Sequence, residues 1–172
     1  MDFYTLINNR ESIRQYDPER KVPEEVLKRI LNAGRVAPSA ANRQPWEFIL
    51  VSSEKMLSKV SKCYRGEWLQ DAPHILIVKG KRNEAWTRPL NRYNSLETDL
   101  TIAMDHMILA AETEGLGTCW IAAFDPENLY SVLGLSEDET IFAITPLGYM
   151  PKTFEKKNQK TRKPLNEICK FI

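Results

Sequence analysis

The chain has 172 residues, 42% hydrophobic and 27% charged, with 24 Lys/Arg against 23 Asp/Glu. That length suits one compact domain, 1–172, with a sizeable core, and a net charge of +1 excludes a general nucleic-acid or membrane-surface binder. No apolar run approaches the roughly 20 residues of a membrane helix. Met1–Leu6 has no basic region ahead of an apolar stretch, and Cys63, Cys119 and Cys169 are an odd set without CxxC spacing, so a reduced, cytoplasmic protein without a disulfide scaffold or zinc site is expected.

Asp2 reads as the N-cap of a short helix with Phe3, Leu6 and Ile7 on one face. Pro23 suits a first helical position, and Val26, Leu27, Ile30 and Leu31 form an apolar stripe ending near Gly34. Residues 37–45 read as a loop and Trp46–Val51 as a strand; Ser52-Ser53-Glu54 then introduces a helix carrying Met56, Leu57 and Val60. Ile75–Val78 is a continuous apolar run, the pattern of a strand buried on both faces. Residues 79–94 are polar and basic, either an excursion over a site or a solvated loop.

Apolar residues nearly encircle the helix predicted over 95–114, which makes it a central, buried element. Gly115 and Gly117 end it. A chain this short has little else to cover such a helix, so burial predicts a symmetric dimer. Thr118–Ala122 and Thr140–Tyr149 are further strands, separated by a short helix opening at Asp125-Pro126. From Pro151 onward seven Lys/Arg face two Asp/Glu, a net +5, whereas the preceding 150 residues carry 17 against 21, a net −4. Such a tail could be a nucleic-acid arm, a solvated extension or a strap that meets an anion. Strands separated by helices predict a mixed α/β or α+β domain.

Common catalytic signatures are missing: the chain has no GxSxG, Walker loop or HExxH, and Gly115-Leu116-Gly117 is not a dinucleotide fingerprint. His74 and His106 read as packed or partly exposed histidines and Cys119 as a packed residue, and Asp99 with Asp105 is no convincing carboxylate pair. What remains is anion chemistry. In an extended segment Arg10, Ser12 and Arg14 share one face, two guanidiniums and a hydroxyl suited to a phosphate. Lys160 and Arg162 repeat that spacing near the other end.

These pieces occur together in a known order. The chain resembles the nitroreductase-like family of FMN-dependent oxidoreductases through Arg10-x-Ser12-x-Arg14 with Tyr16 and the loop Ala37-Pro38-Ser39-Ala40-Ala41-Asn42-x-Gln44-Pro45-Trp46. Further matches are Gly115-Leu116-Gly117-Thr118-Cys119-Trp120, Ile121-Ala122-Ala123-Phe124-Asp125, Pro146-Leu147-Gly148-Tyr149 and Lys160-x-Arg162-Lys163-Pro164-Leu165. The Pro-Ser-x-x-Asn-x-Gln-Pro-Trp run is the most specific.

The resemblance implies an α+β fold with a central mixed sheet flanked by helices, a long buried central helix, and a C-terminal tail extending onto the partner subunit. It implies a homodimer with FMN at the interface, no nucleic-acid or membrane partner, and hydride passing from NAD(P)H through FMN to a flat nitroaromatic or quinone. By the same resemblance Arg10, Ser12, Lys160 and Arg162 match phosphate ligands, and Arg14 matches a residue near the pyrimidine edge and ribityl chain. Pro38, Ser39, Ala40 and Asn42 match a partner-chain loop at the flavin, and Trp120, Ala122 and Ala123 match the segment beneath its ring. No side chain is implied as catalytic, because the flavin N5 carries the chemistry.

Two departures stand out. Ala122 replaces a Glu of several relatives, and Glu11 stands where many have a basic or other polar residue. Other flavin chemistry on the same fold, reductive dehalogenation or flavin breakdown, is an alternative. A nucleic-acid module is another, though the tail offers Phe154 as its one aromatic before the last few residues and so lacks stacking platforms.

Overall fold

In a computed structural model of the chain, which describes residues 1–157 and 159–172, four strands build one sheet. They are β1 (Trp46–Val51), β2 (His74–Lys81), β3 (Gly117–Thr118) and β4 (Glu139–Gly148), in the order β1-β2-β4-β3. Each neighbouring pair is antiparallel. The mixed character implied by the resemblance is therefore confined to one parallel bridge, Ser12 with Thr118.

The helices are α1 (Phe3–Asn9), α2 (Glu24–Arg35), α3 (Glu54–Ser61), α4 (Leu96–Thr113), α5 (Pro126–Leu133) and the short α6 (Leu165–Ile168). The alternation of β2 explains its unbroken apolar run. Leu76 and Val78 pack with residues of α2 and α4, whereas Ile75 and Ile77 pack with Val60 of α3 and Leu129 of α5. Both faces of the sheet are covered, and the fold is α+β.

α4 is buried as expected, with Leu100, Met104, Met107 and Ile108 in the core beside α2 and the sheet. The dimer argument made from this helix fails, however, because the chain covers most of α4 itself. The uncovered apolar surface lies on α1 and the tail, where Phe3, Tyr4, Leu165, Ile168 and Phe171 are all exposed.

The strand expected over 118–122 shrinks to Gly117–Thr118. Its register against β4 continues, since Gly117 pairs with Gly148, Thr118 with Leu147, and Ile121 again with Ile144. Cys119 thus stands opposite Pro146, which has no N–H to give the ladder. That leaves the Cys119 carbonyl without its ladder donor, and the Cys119 N–H donates to the Thr145 hydroxyl at 3.1 Å rather than to the Pro146 carbonyl. Residues 82–94 form an ordered excursion. Thr87 bridges Asn94, the Arg88 guanidinium sits 5.1 Å from the Tyr93 ring, and Leu90 projects from the tip.

An ion cluster ties three strands together. Lys79 of β2, 8% exposed, pairs with Glu47 of β1 at 2.6 Å and with Glu139 of β4. The Lys79 ammonium, then the backbone and hydroxyl of Ser136, hold the Glu139 carboxyl at about 2, against an ordinary 4.5. A carboxylate depressed in the fold stabilises fully above its unfolded value and loses that contribution as pH falls through its folded one. The urea midpoint of the wild type should therefore fall between pH 4.5 and 2 more steeply than that of Glu139→Gln. Parallel acid titrations of the two would refute the assignment.

Candidate functional site

Residues 10–14 run extended beside the sheet edge. The Ile13 N–H donates to the Thr118 carbonyl at 2.8 Å, and Ile13 is fully buried. Glycine at 117 permits this approach, because a Cβ there would lie 2.7 Å from an Ile13 methyl. The Tyr16 hydroxyl donates to the Ile13 carbonyl at 2.7 Å, and its ring stacks on Trp68. With Ile13 fixed inward, Ser12 and Arg14 line one cavity together with Glu11, while Arg10 does not line it.

The basic tail returns to this segment. Lys156 donates to the Asn9 carbonyl at 3.3 Å, the Lys157 N–H donates to the Glu11 carboxylate at 3.1 Å, and the Lys160 ammonium donates to the Ile7 carbonyl. Burial, then the neighbouring Arg10 and Arg162 guanidiniums, hold the Lys160 ammonium below the ordinary lysine range. Three cations predicted from opposite ends of the sequence are thus brought together. Among the described residues, Arg10 Nη1 is a buried side-chain nitrogen without a hydrogen-bond partner. Alternation along the tail divides its side chains between two cavities. Lys156 and Lys160 line one of about 600 Å³ with Asn8, Asn9 and Glu112. Lys157 and Gln159 line another of about 430 Å³ with Ser12 and Arg14.

The segment after Thr118 continues from the residue that bridges Ser12 of the motif. Trp120 is half-buried, edge-on to Phe142, while Ala122 and Ala123 are exposed. The interruption opposite Pro146 takes this segment out of the regular ladder between Thr118 and Ile121.

The loop at 38–44 lies elsewhere. Asp99 of α4, 1% exposed, accepts the Ala40 N–H at 2.9 Å and the Ser95 hydroxyl at 2.7 Å. Ser39 accepts the Gln44 N–H at 2.9 Å, and the Gln44 amide donates to Asn42. Ala41, Asn42 and Gln44 all take positive φ, between 51° and 54°, a costly conformation for residues with a Cβ. Pro38 and Asn42 are exposed at the surface this loop presents. Asp99 and Glu112 are 13 residues apart on α4, or about 20 Å at 1.5 Å per residue. Asp99 holds the loop at one end of the helix, while Glu112, bound to Lys156, marks the tail and motif at the other.

Sequence reasoning missed Asp99, Glu112 and Glu11. Asp99 and Glu112 lie on a helix whose apolar pattern gives no sign of what their carboxylates meet. His74, expected to be packed or partly exposed, is half-buried, with Nδ1 2.7 Å from the Ser52 hydroxyl, and lines neither cavity beside the motif.

An α+β sheet protein with a cation cluster beside a strand-edge motif and a strained surface loop defines a narrow class. A model of the nitroreductase family matches residues 7–63 and 56–149. A protein of Archaeoglobus fulgidus with the provisional name NADH dehydrogenase/NAD(P)H nitroreductase is 32% identical, over 84% of this chain and 83% of its own. An iodotyrosine deiodinase of Hydra vulgaris is 26% identical over 97% of this chain and 71% of its own. The crystal structure of a nitroreductase family protein from Clostridium difficile superposes with a TM-score of 0.91 at 32% identity, covering 99% of this chain and 98% of that one. An FMN-dependent nitroreductase from Clostridium difficile superposes at 0.78 with 26% identity, covering 92% of each. The chain belongs to the nitroreductase family.

Proposed function

We propose that this single domain is an FMN-dependent oxidoreductase that takes hydride from NAD(P)H and passes electrons to a flat acceptor such as a nitroaromatic or quinone, in ping-pong order. The observation that carries this reading is the docking of the basic tail on the N-terminal motif, where Arg10 and Arg162 stand near enough to depress the Lys160 ammonium and Arg10 Nη1 is buried without a partner among the described residues. A phosphate dianion fits such a donor set, since it neutralises mutual repulsion and accepts several charged hydrogen bonds at once. The cysteines at 63, 119 and 169 are free, in keeping with the cytoplasm as its compartment.

Bound FMN supplies the redox chemistry, so the protein's task is orientation and electrostatics. Arg10, Ser12, Lys160 and Arg162 would hold the phosphate, with Ser12 and Lys160 reaching it from the separate cavities they line. Arg14, in the same cavity as Ser12, would stand by the ribityl chain and pyrimidine edge and favour negative charge on the reduced ring. Trp120, Ala122 and Ala123 would offer main-chain groups beneath the ring.

Pro38, Ser39, Ala40 and Asn42 would serve the site of the partner subunit, since Asp99 holds them about 20 Å along α4 from their own chain's cation cluster. The exposed apolar residues of α1 and the tail support a homodimer. So does the open edge of β1, where Leu31, Trp46 and Phe48 line a groove of about 470 Å³ that suits a tail reaching across from the partner.

Inward ties of Lys156, Lys157 and Lys160 favour a cofactor strap over a nucleic-acid arm, and among the described residues no helix is long and apolar enough to cross a membrane. Reductive dehalogenation is a second reading, favoured by the likeness to an iodotyrosine deiodinase. Iodide release from iodotyrosine by the reduced protein would select it. The first reading is tested on purified protein, which should be yellow, release FMN rather than FAD, and scatter light as about twice 19.9 kDa. Colourless protein that binds no added FMN would end it.

A further inference from the structure

Glu112 stands in the last turn of α4 with its side chain 6% exposed. A carboxylate there is disfavoured twice, since burial strips its water and the C-terminal end of a helix is itself partly negative. Lys156 offsets both effects by pairing with Glu112, and the same ammonium donates to the carbonyl of Asn9, the residue just before Arg10. The next residue adds a backbone tie to Glu11, the position at which the chain departs from many relatives. Phe154, just upstream, packs on the cluster formed by Ile13 and Tyr16.

We propose that the Glu112–Lys156 ion pair is a positioning device for phosphate recognition, anchoring the tail four residues ahead of Lys160 so that Lys160 and Arg162 converge with Arg10 on one dianion. This rests on the FMN reading above. Three like charges repel, so an untethered tail would spread them apart whenever no anion stands between them. A tether on the neighbouring residues supplies the convergence in advance, and preorganised groups bind more tightly because less order is lost on binding. The pair touches none of the groups assigned to the flavin ring.

A buried ion pair can also be purely structural, and riboflavin separates the two roles because it shares the ring and ribityl chain of FMN but lacks the phosphate. The experiment is a fluorescence titration of apo wild type, Glu112→Gln and Lys156→Met with FMN and with riboflavin, at matched ionic strength. Lys156→Met leaves the buried Glu112 carboxylate without its cation, so apo thermal unfolding is recorded for both variants and affinities are compared only where each is folded. The two variants change net charge in opposite senses. Long-range attraction therefore predicts opposite effects on FMN, while positioning predicts the same one. The expected result is that both weaken FMN about tenfold, the lower end of what supporting partners contribute at metal sites, and leave riboflavin unchanged. Trypsin should also cut the tail faster in both apo variants.

Unchanged FMN affinity in Lys156→Met, opposite shifts in the two variants, or equal losses for FMN and riboflavin would each overturn the positioning role alone. A wild type that binds no FMN would instead overturn the reading beneath it.

Discussion

Arg10→Ala should weaken FMN binding by about one to two decades while leaving the apo protein at least as stable as wild type. The two halves of this expectation have different origins. A hydrogen bond to a charged group contributes about 1.5–3 kcal/mol, which is roughly one to two decades in Kd. Without the anion, the same guanidinium holds a buried nitrogen with no hydrogen-bond partner among the described residues, near Lys160. Alanine removes both that unmet donor and a repulsive neighbour. A surface arginine with no ligand would show neither effect, and an arginine that merely supports the fold would lower stability. FMN titration and thermal unfolding of the apo variant, measured together, separate the three. Unaltered FMN affinity would remove Arg10 from the phosphate site.

Asp99→Ala should lower stability by about 3 kcal/mol, because it leaves the buried Ser95 hydroxyl and the Ala40 N–H without their acceptor. In a domain of this size that is a fall of about 6–12 °C in Tm. The loop should suffer most, since three residues at positive φ persist only while their surroundings fix them. Asp99→Asn keeps a side-chain oxygen for the Ala40 N–H and should recover most of the loss. If the loop meets the flavin ring, Asp99→Ala should also shift the flavin spectrum more than Arg10→Ala does at equal FMN occupancy. A Tm within 1–2 °C of wild type would show that the loop holds its shape without the carboxylate.

The contrast between Arg10 and Asp99 reflects what a linear pattern can carry. Spacing alone predicts one face for Arg10, Ser12 and Arg14, which Ser12 and Arg14 keep, and hydrophobic periodicity placed β1 at Trp46–Val51 and α4 within a residue at each end. Such features depend on near neighbours in the chain. The pattern shows Asp99 only as no convincing pair for Asp105, because its partner, Ala40, is 59 residues away and offers only a backbone N–H, which has no side-chain signature. The positive φ values at Ala41 and Gln44 were equally hidden, as neither residue type favours that region. β3 was overextended because strand propensity in Thr118–Ala122 says nothing of the proline that faces it. The tail's basic composition was legible and its direction was not, since the acceptors at Ile7, Asn9, Glu11 and Glu112 are fixed only by the fold.

α4 acts as a ruler. Its length sets the Ala40 tie at Asp99 about 20 Å from the tail tie at Glu112, and in the two-chain arrangement proposed above each site would borrow one half from the other subunit. Assembly and flavin retention then become one linked equilibrium, because a ligand that binds only the assembled state stabilises that state by mass action. Dilution would shed cofactor, and added cofactor would hold subunits together. The cellular supply of FMN would then help set how much of this protein exists as a dimer at all.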